Sequence, residues 1–270
     1  MIDELDRELR AAGVPARRRR RIRLEFEDHL ACDPSADLGD PGALARQFAD
    51  ELGTAYARRA GFAVFVALAP FGMLTIALFL FASVRVSYPP LALTLALVVG
   101  VQLAFVGGAL AALRAWRLRR LVVMPAVEAG VLVRRAGLAV VGAALTTVPL
   151  GYLASGFYPF LLTSRPLAWV TLATGTAAAL LGSAAVVRAW RLRPIADGEA
   201  HDLSFDLGLN VDPWRLALGT AGAVALCITL AGVVQSDPID GLARGLADGS
   251  LCLAGFALFG RPLGLRRQVP

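Results

Sequence analysis

The chain has 270 residues and a net charge of +6; 57% of its residues are hydrophobic and only 18% charged, whereas a soluble domain is nearer half apolar and a quarter charged. That balance, with a mean hydropathy of +0.62, points to a membrane protein. All 27 basic side chains are arginine, so a P-loop lysine, a Schiff-base lysine and a lysine general base are excluded. His29 and His201 lie too far apart for a zinc-binding helix, and Cys32, Cys227 and Cys252 form no C-x-x-C pair.

Residues 1–57 stand apart in composition, with twelve acids against eleven arginines up to Arg59. They predict three amphipathic helices. The first runs from Asp3 to about Ala12, with acids in its first turn, Gly13 past its end, and Leu5, Leu9 and Ala12 as its apolar stripe. Pro15 opens the second, where Ile22, Phe26 and Leu30 share a face. Asp40-Pro41 caps the third, in which Leu44, Phe48 and Leu52 recur at helical spacing and supply the core. This helix leads almost directly into the first apolar run, with Gly53 as the expected flexible point.

The stretch Leu24-Glu25-Phe26-Glu27-Asp28-His29-Leu30, then Leu38-Gly39-Asp40-Pro41, then Leu44-Ala45 and Phe48, resembles the HAAS signalling domain and the related permease prefix domain of bacterial membrane proteins. The resemblance covers about 55 residues. Its spacer, Ala31 to Asp37, is shorter than is usual in the family. The resemblance implies a helical module ahead of a multi-span region, working with a PadR-type regulator or an ABC-type ATPase.

Arg17, Arg18, Arg19, Arg20, Arg21 and Arg23 form the densest charge in the chain. Arginines at a helix N-terminus oppose the helix dipole, so helix stability does not explain them. Beside a cytoplasmic membrane face such a run binds anionic headgroups or a partner. Nucleic acid is the weaker fit, because the domain is near neutral and few aromatics interleave the run. Glu25, Glu27, Asp28 and His29 form the expected partner-binding face, or else pair with the arginines on a solvated surface.

Residues 58–270 predict six spans, roughly 61–83, 91–113, 136–157, 167–187, 215–235 and 242–260. Each is close to the ~20 helical residues that cross a bilayer. Counting arginines places 24 on one side and three, Arg85, Arg165 and Arg244, on the other. Both termini are therefore expected in the cytoplasm, in a multi-pass protein of the cell (inner) membrane. Two segments repeat: Arg58-Arg59-Ala60-Gly61 matches Arg134-Arg135-Ala136-Gly137, and the run Arg114-Ala115-Trp116-Arg117-Leu118-Arg119 matches Arg188-Ala189-Trp190-Arg191-Leu192-Arg193. With a Tyr-Pro pair in each outer turn, Tyr88-Pro89 and Tyr158-Pro159, they suggest a duplicated two-helix unit followed by a degenerate third hairpin.

Small residues at four-residue spacing predict close helix packing: Ala96, Gly100, Ala104, Gly108 and Ala112; Gly175, Ala179 and Ser183; Gly241, Gly245 and Gly249. Pro70 and Pro149 lie mid-span in the first and third spans and are expected to kink them. Arg244 and Asp248 lie one turn apart and form an expected intramembrane ion pair. The loop holding Asp197, Glu199, His201, Asp202, Asp206 and Asp212 reads as acidic, helix-free and solvated, without calcium-loop spacing. Residues 121–133 are apolar apart from Glu128 and lie in the interface or extend the neighbouring helices.

The expected fold class is all-α: a small cytoplasmic three-helix domain and a six-span bundle. No pattern calls for a cofactor or a metal, and no constellation of catalytic residues is evident. The expected function is non-enzymatic: a regulatory or sensory membrane protein whose N-terminal domain docks a cytosolic partner. The alternative is a permease-like transporter subunit that relies on a separate ATPase. An arginine-rich, lysine-free chain with abundant Ala, Gly and Leu fits a high-GC bacterial genome.

Overall fold

The computed structural model describes all residues except 34–38, 82–90, 156–164, 200, 202–205, 207–212, 236–237 and 261–270. Both Tyr-Pro pairs, Arg85, Asp37, Leu38, Asp202, Asp212 and the tail arginines lie outside that set. The described residues contain helices and no strand. In chain order these are α1 (Ile2–Ala11), α2 (Ala16–Cys32), α3 (Pro41–Phe81), α4 (Leu91–Arg117), α5 (Ala126–Ala154), α6 (Arg165–Arg191), α7 (Pro213–Gln235) and α8 (Pro238–Phe259). A short 3-10 turn, Leu118–Arg120, follows α4.

Local signals explain the first boundaries. Gly13 has φ +77°, and its N–H donates to the Arg10 carbonyl while Val14 N–H donates to that of Leu9. This is a Schellman ending, and it brings Val14 onto Leu9 in a shared apolar cluster. At α3 the Asp40 carboxylate accepts the Ala43 N–H at 2.8 Å, the expected N-cap. The cluster joins Leu5, Leu9, Val14, Ala45 and Ala49, with Ile22, Phe26, Leu44, Phe48 and Leu52 around it. The expected stripe of α3 is thus rotated: the alanines are buried, and Leu44, Phe48 and Leu52 flank them. Phe26 meets Phe48 edge-to-face at 6.0 Å.

Helix α3 is continuous for 41 residues, so the composition break near residue 58 falls inside a helix. Gly53 is not a flexible point. It is helical and buried, and a Cβ there would lie 2.3 Å from the Leu192 carbonyl oxygen. The glycine permits contact between α3 and the segment after α6.

Five helices are long and apolar enough to cross a membrane: Pro41–Thr75, Leu95–Arg120, Ala126–Tyr152, Arg165–Arg191 and Gly241–Phe259. Helix α7 contributes a shorter apolar stretch, Ala217–Leu230. Helices α3 and α5 each pack on α4, α6 and one another, while α4 and α6 hold the flanks. The α7–α8 hairpin joins this group through α8 against α4. On the outside, Val141, Leu145, Val148 and Tyr152 present one exposed apolar face of α5, as a lipid-facing helix requires.

Small residues set the crossings. A Cβ on Gly142 would lie 2.3 Å from Ala104 N, and one on Gly100 2.5 Å from Thr146 Oγ1, so α4 and α5 meet backbone to backbone along the Gly100–Ala104 ridge. On α6 the working ridge is Gly175, Ala178 and Gly182, and Ser183 is exposed. Gly175 receives the fully buried Phe71 ring. Gly245 and Gly249 seat α8 on Ala225 and Thr229 of α7. Both Pro70 and Pro149 lie within uninterrupted helices.

Candidate functional site

At the bundle end nearest α1 and α2, two connecting segments grip α3. Asp50 accepts the Ile195 N–H at 2.6 Å, the Thr54 hydroxyl accepts the Met124 N–H at 2.8 Å, and Arg58 donates to the Arg119 carbonyl at 2.6 Å. The segments also bind each other, Ala126 N–H donating to the Ala196 carbonyl at 2.8 Å.

Beneath this clasp is a buried network of four charges. Arg114, Glu128, Arg135 and Asp206 are each at most 1% exposed. Arg114 Nε lies 2.9 Å from Glu128 Oε2 and 3.3 Å from Asp206 Oδ1. Arg135 Nη1 donates to Asp206 Oδ2 at 2.5 Å and reaches the Leu110 carbonyl at 3.5 Å. Glu128 Oε1 accepts the His201 N–H at 2.5 Å and lies 2.6 Å from His201 Nδ1. Arg114 also donates to the His201 carbonyl. His201 is thereby held through both backbone groups, while its ring is 49% exposed.

Local structure makes this site from ordinary parts. Arg114 lies in the last turn of α4 and Glu128 in the first turn of α5, each favoured there by its own helix dipole. The 3-10 turn brings those ends together. Arg135 is seven residues beyond Glu128, on the same face of α5. Two guanidiniums and two carboxylates sum to zero, which makes complete burial tolerable. Burial pushes the Asp206 carboxyl up from its ordinary value, and Arg135 and Arg114 pull it down. The arrangement can lock the segment carrying His201 and Asp206 onto α4 and α5.

The loop after α6 therefore differs from its expectation as a solvated acidic loop. Asp197 and Glu199 are exposed, but Asp206 is buried and ion-paired, and His201 is tied to Glu128. Of the stretch 121–133, residues 126–133 extend α5, one of the two expected readings, and Glu128 within them is fully buried in the protein.

The arginine run divides. Arg19 pairs with Asp6 at 3.3 Å, Arg21 with Glu25 at 2.8 Å, and Arg23 with Glu27 at 2.6 Å and Asp3 at 3.4 Å. Arg17, Arg18 and Arg20 are exposed and have no ion-pair partner among the described residues. Glu25 and Glu27 are thus engaged within α2, whereas Asp28 and His29 stay exposed. Arg244 and Asp248 are both half-buried one turn apart on α8, their charges interacting. They are far in sequence from the four-charge network, and α8 reaches the rest of the bundle only through α4 among the stronger contacts.

No family model, curated protein or solved structure matches the chain.

Proposed function

We propose that this is a non-enzymatic regulatory or sensory protein of a bacterial cell membrane, with six spans, both termini cytoplasmic, and a HAAS-like N-terminal module that docks a cytosolic partner. The observation that supports it most is mechanical. Helix α3 is one rod from the N-terminal apolar cluster into the bundle, and two connecting segments grip it by side-chain hydrogen bonds. A force on the module is carried into the spans, and the reverse. Helix α2 buries no residue completely and offers Arg17, Arg18, Arg20, Asp28 and His29 to a partner or to anionic headgroups. The two similar hairpins, α3–α4 and α5–α6, are read as copies of one unit, supported by the equivalent roles of α3 and α5 in the packing.

The test uses the full-length protein carrying a photo-crosslinker at position 18 or 29. A cytosolic protein adduct is expected, lost from position 18 in D28A/H29A and from position 29 in R17Q/R18Q/R20Q. If only lipid adducts form, and if removing residues 1–40 leaves insertion and phenotype intact, the permease-like reading moves ahead. The orientation is checked separately. Reporter fusions at residues 88, 160 and 240 should be exported, and those at 125, 200 and 270 retained. Export at 200 sinks the topology.

A further inference from the structure

Two surfaces far apart in sequence share one arrangement. At the end of α4, Ala115 and Leu118 are buried, Trp116 is 55% exposed, and the Arg119 guanidinium lies over the indole, 3.9 Å from the ring centroid. At the end of α6, Ala189 and Leu192 are buried, Trp190 is 53% exposed, and the Arg193 guanidinium lies 3.3 Å from the ring centroid. Arg117 and Arg191 are exposed next to the two indoles in sequence. Neither Arg119 nor Arg193 has a carboxylate partner among the described residues, unlike Arg19, Arg21 and Arg23.

We propose that these are two headgroup sites for anionic phospholipid. Each guanidinium carbon packs on an indole ring, a contact that uses the plane of the cation and none of its hydrogen-bond donors. The N–H donors lie in that plane, so the fork remains open to a phosphate in the bidentate geometry arginine favours. The second exposed arginine adds charge for the same anion. Exposed Leu113 precedes the first indole and exposed Val187 the second, both on helices apolar enough to span a membrane. The fitting ligand therefore carries an anionic head joined to an apolar tail. A free phosphate meets only the arginines, and an acidic peptide gains nothing from the apolar helix surface. The proposal stands whether or not the α1–α2 module docks a partner.

The test is tryptophan quenching by brominated lipid in the full-length protein with Trp169→Phe and Trp214→Phe, leaving Trp116 and Trp190. Vesicles are phosphatidylcholine with a minor fraction of phosphatidylglycerol, bromine being placed on the chains of one lipid or the other. Per brominated molecule, phosphatidylglycerol should quench about fivefold more, the enrichment expected of one interfacial arginine. Arg119→Gln with Arg193→Gln should bring that ratio close to one while quenching by phosphatidylcholine persists. The single variants Arg119→Gln and Arg193→Gln should each remove about half of the excess, a check if the double variant does not insert. Equal quenching by the two lipids overturns the proposal, as does a preference unchanged in the variants. So does a preference abolished by inorganic phosphate but not by chloride at equal ionic strength, which would assign the arginines to a free anion.

Discussion

Replacing Asp206 with alanine should cost about 3–5 kcal/mol, the loss expected when one member of a buried ion network is removed and its partners stay charged. Arg135 then keeps only the Leu110 carbonyl among the partners named above, and Arg114 must balance its charge against Glu128 alone. A thermal unfolding midpoint in detergent micelles reads the loss. Arg135→Met combined with Asp206→Leu should recover most of it, because an apolar pair of similar volume replaces the charges and leaves Arg114 with Glu128. The magnitude decides the issue. A solvated pair at the protein surface contributes about 0–1 kcal/mol. If Asp206→Ala falls in that range, water reaches the network and it does not lock the loop after α6. Glu128→Ala should also release the His201 segment, since it removes the Oε1 that accepts the His201 N–H. Faster hydrogen exchange at His201 in that variant would show it.

None of these four residues was expected to be buried, although half of the network left a signal in the sequence. Glu128 is the one acid in an otherwise apolar stretch, and Arg135 follows at a spacing that shares its helix face. Those two facts already argue for a buried partner. Arg114 was masked by its context: it belongs to an arginine-rich segment at a helix end, where charge balance across the membrane accounts for any arginine. Its counterpart Arg188 is exposed, as that account expects. The repeated segments differ most at this one residue, because only the first copy faces Glu128 and Asp206. Asp206 could not be found from local pattern at all. It is 71 residues from Arg135, in a stretch whose composition reads as solvent-loving.

Helix identities were easier, since long apolar runs and cap residues are local signals. The Asp40 cap, the Gly13 ending and the apolar runs all reappear in the structure. The unbroken passage of α3 through Gly53 and the start of α5 at Ala126 were only partly readable. Hydropathy marks where a helix is lipid-compatible, and both helices continue past that limit because tertiary contacts bury their polar ends.

Gly53→Ala should be destabilising by about 1–3 kcal/mol, although an alanine in a helix interior is ordinarily favoured over glycine by about 1 kcal/mol. The new Cβ would meet the Leu192 carbonyl oxygen at 2.3 Å and Pro194 N at 2.8 Å, both backbone atoms that cannot rotate away. Relief requires moving residues 192–195 off α3, which loosens the Asp50 bond to Ile195 N–H one turn away. Gly130→Ala is the matched control: it is also helical, with nothing within 4 Å of the added carbon, and should stabilise or leave the protein unchanged. Two measurements separate the cases. The unfolding midpoint should fall only in Gly53→Ala, and cleavage by a glutamate-specific protease at exposed Glu199 should rise only there. Were Gly53→Ala to behave like Gly130→Ala in both, the close approach would be soft. The segment after α6 would then not hold α3, and the path by which the N-terminal helices act on the spans would lose its stiffest joint.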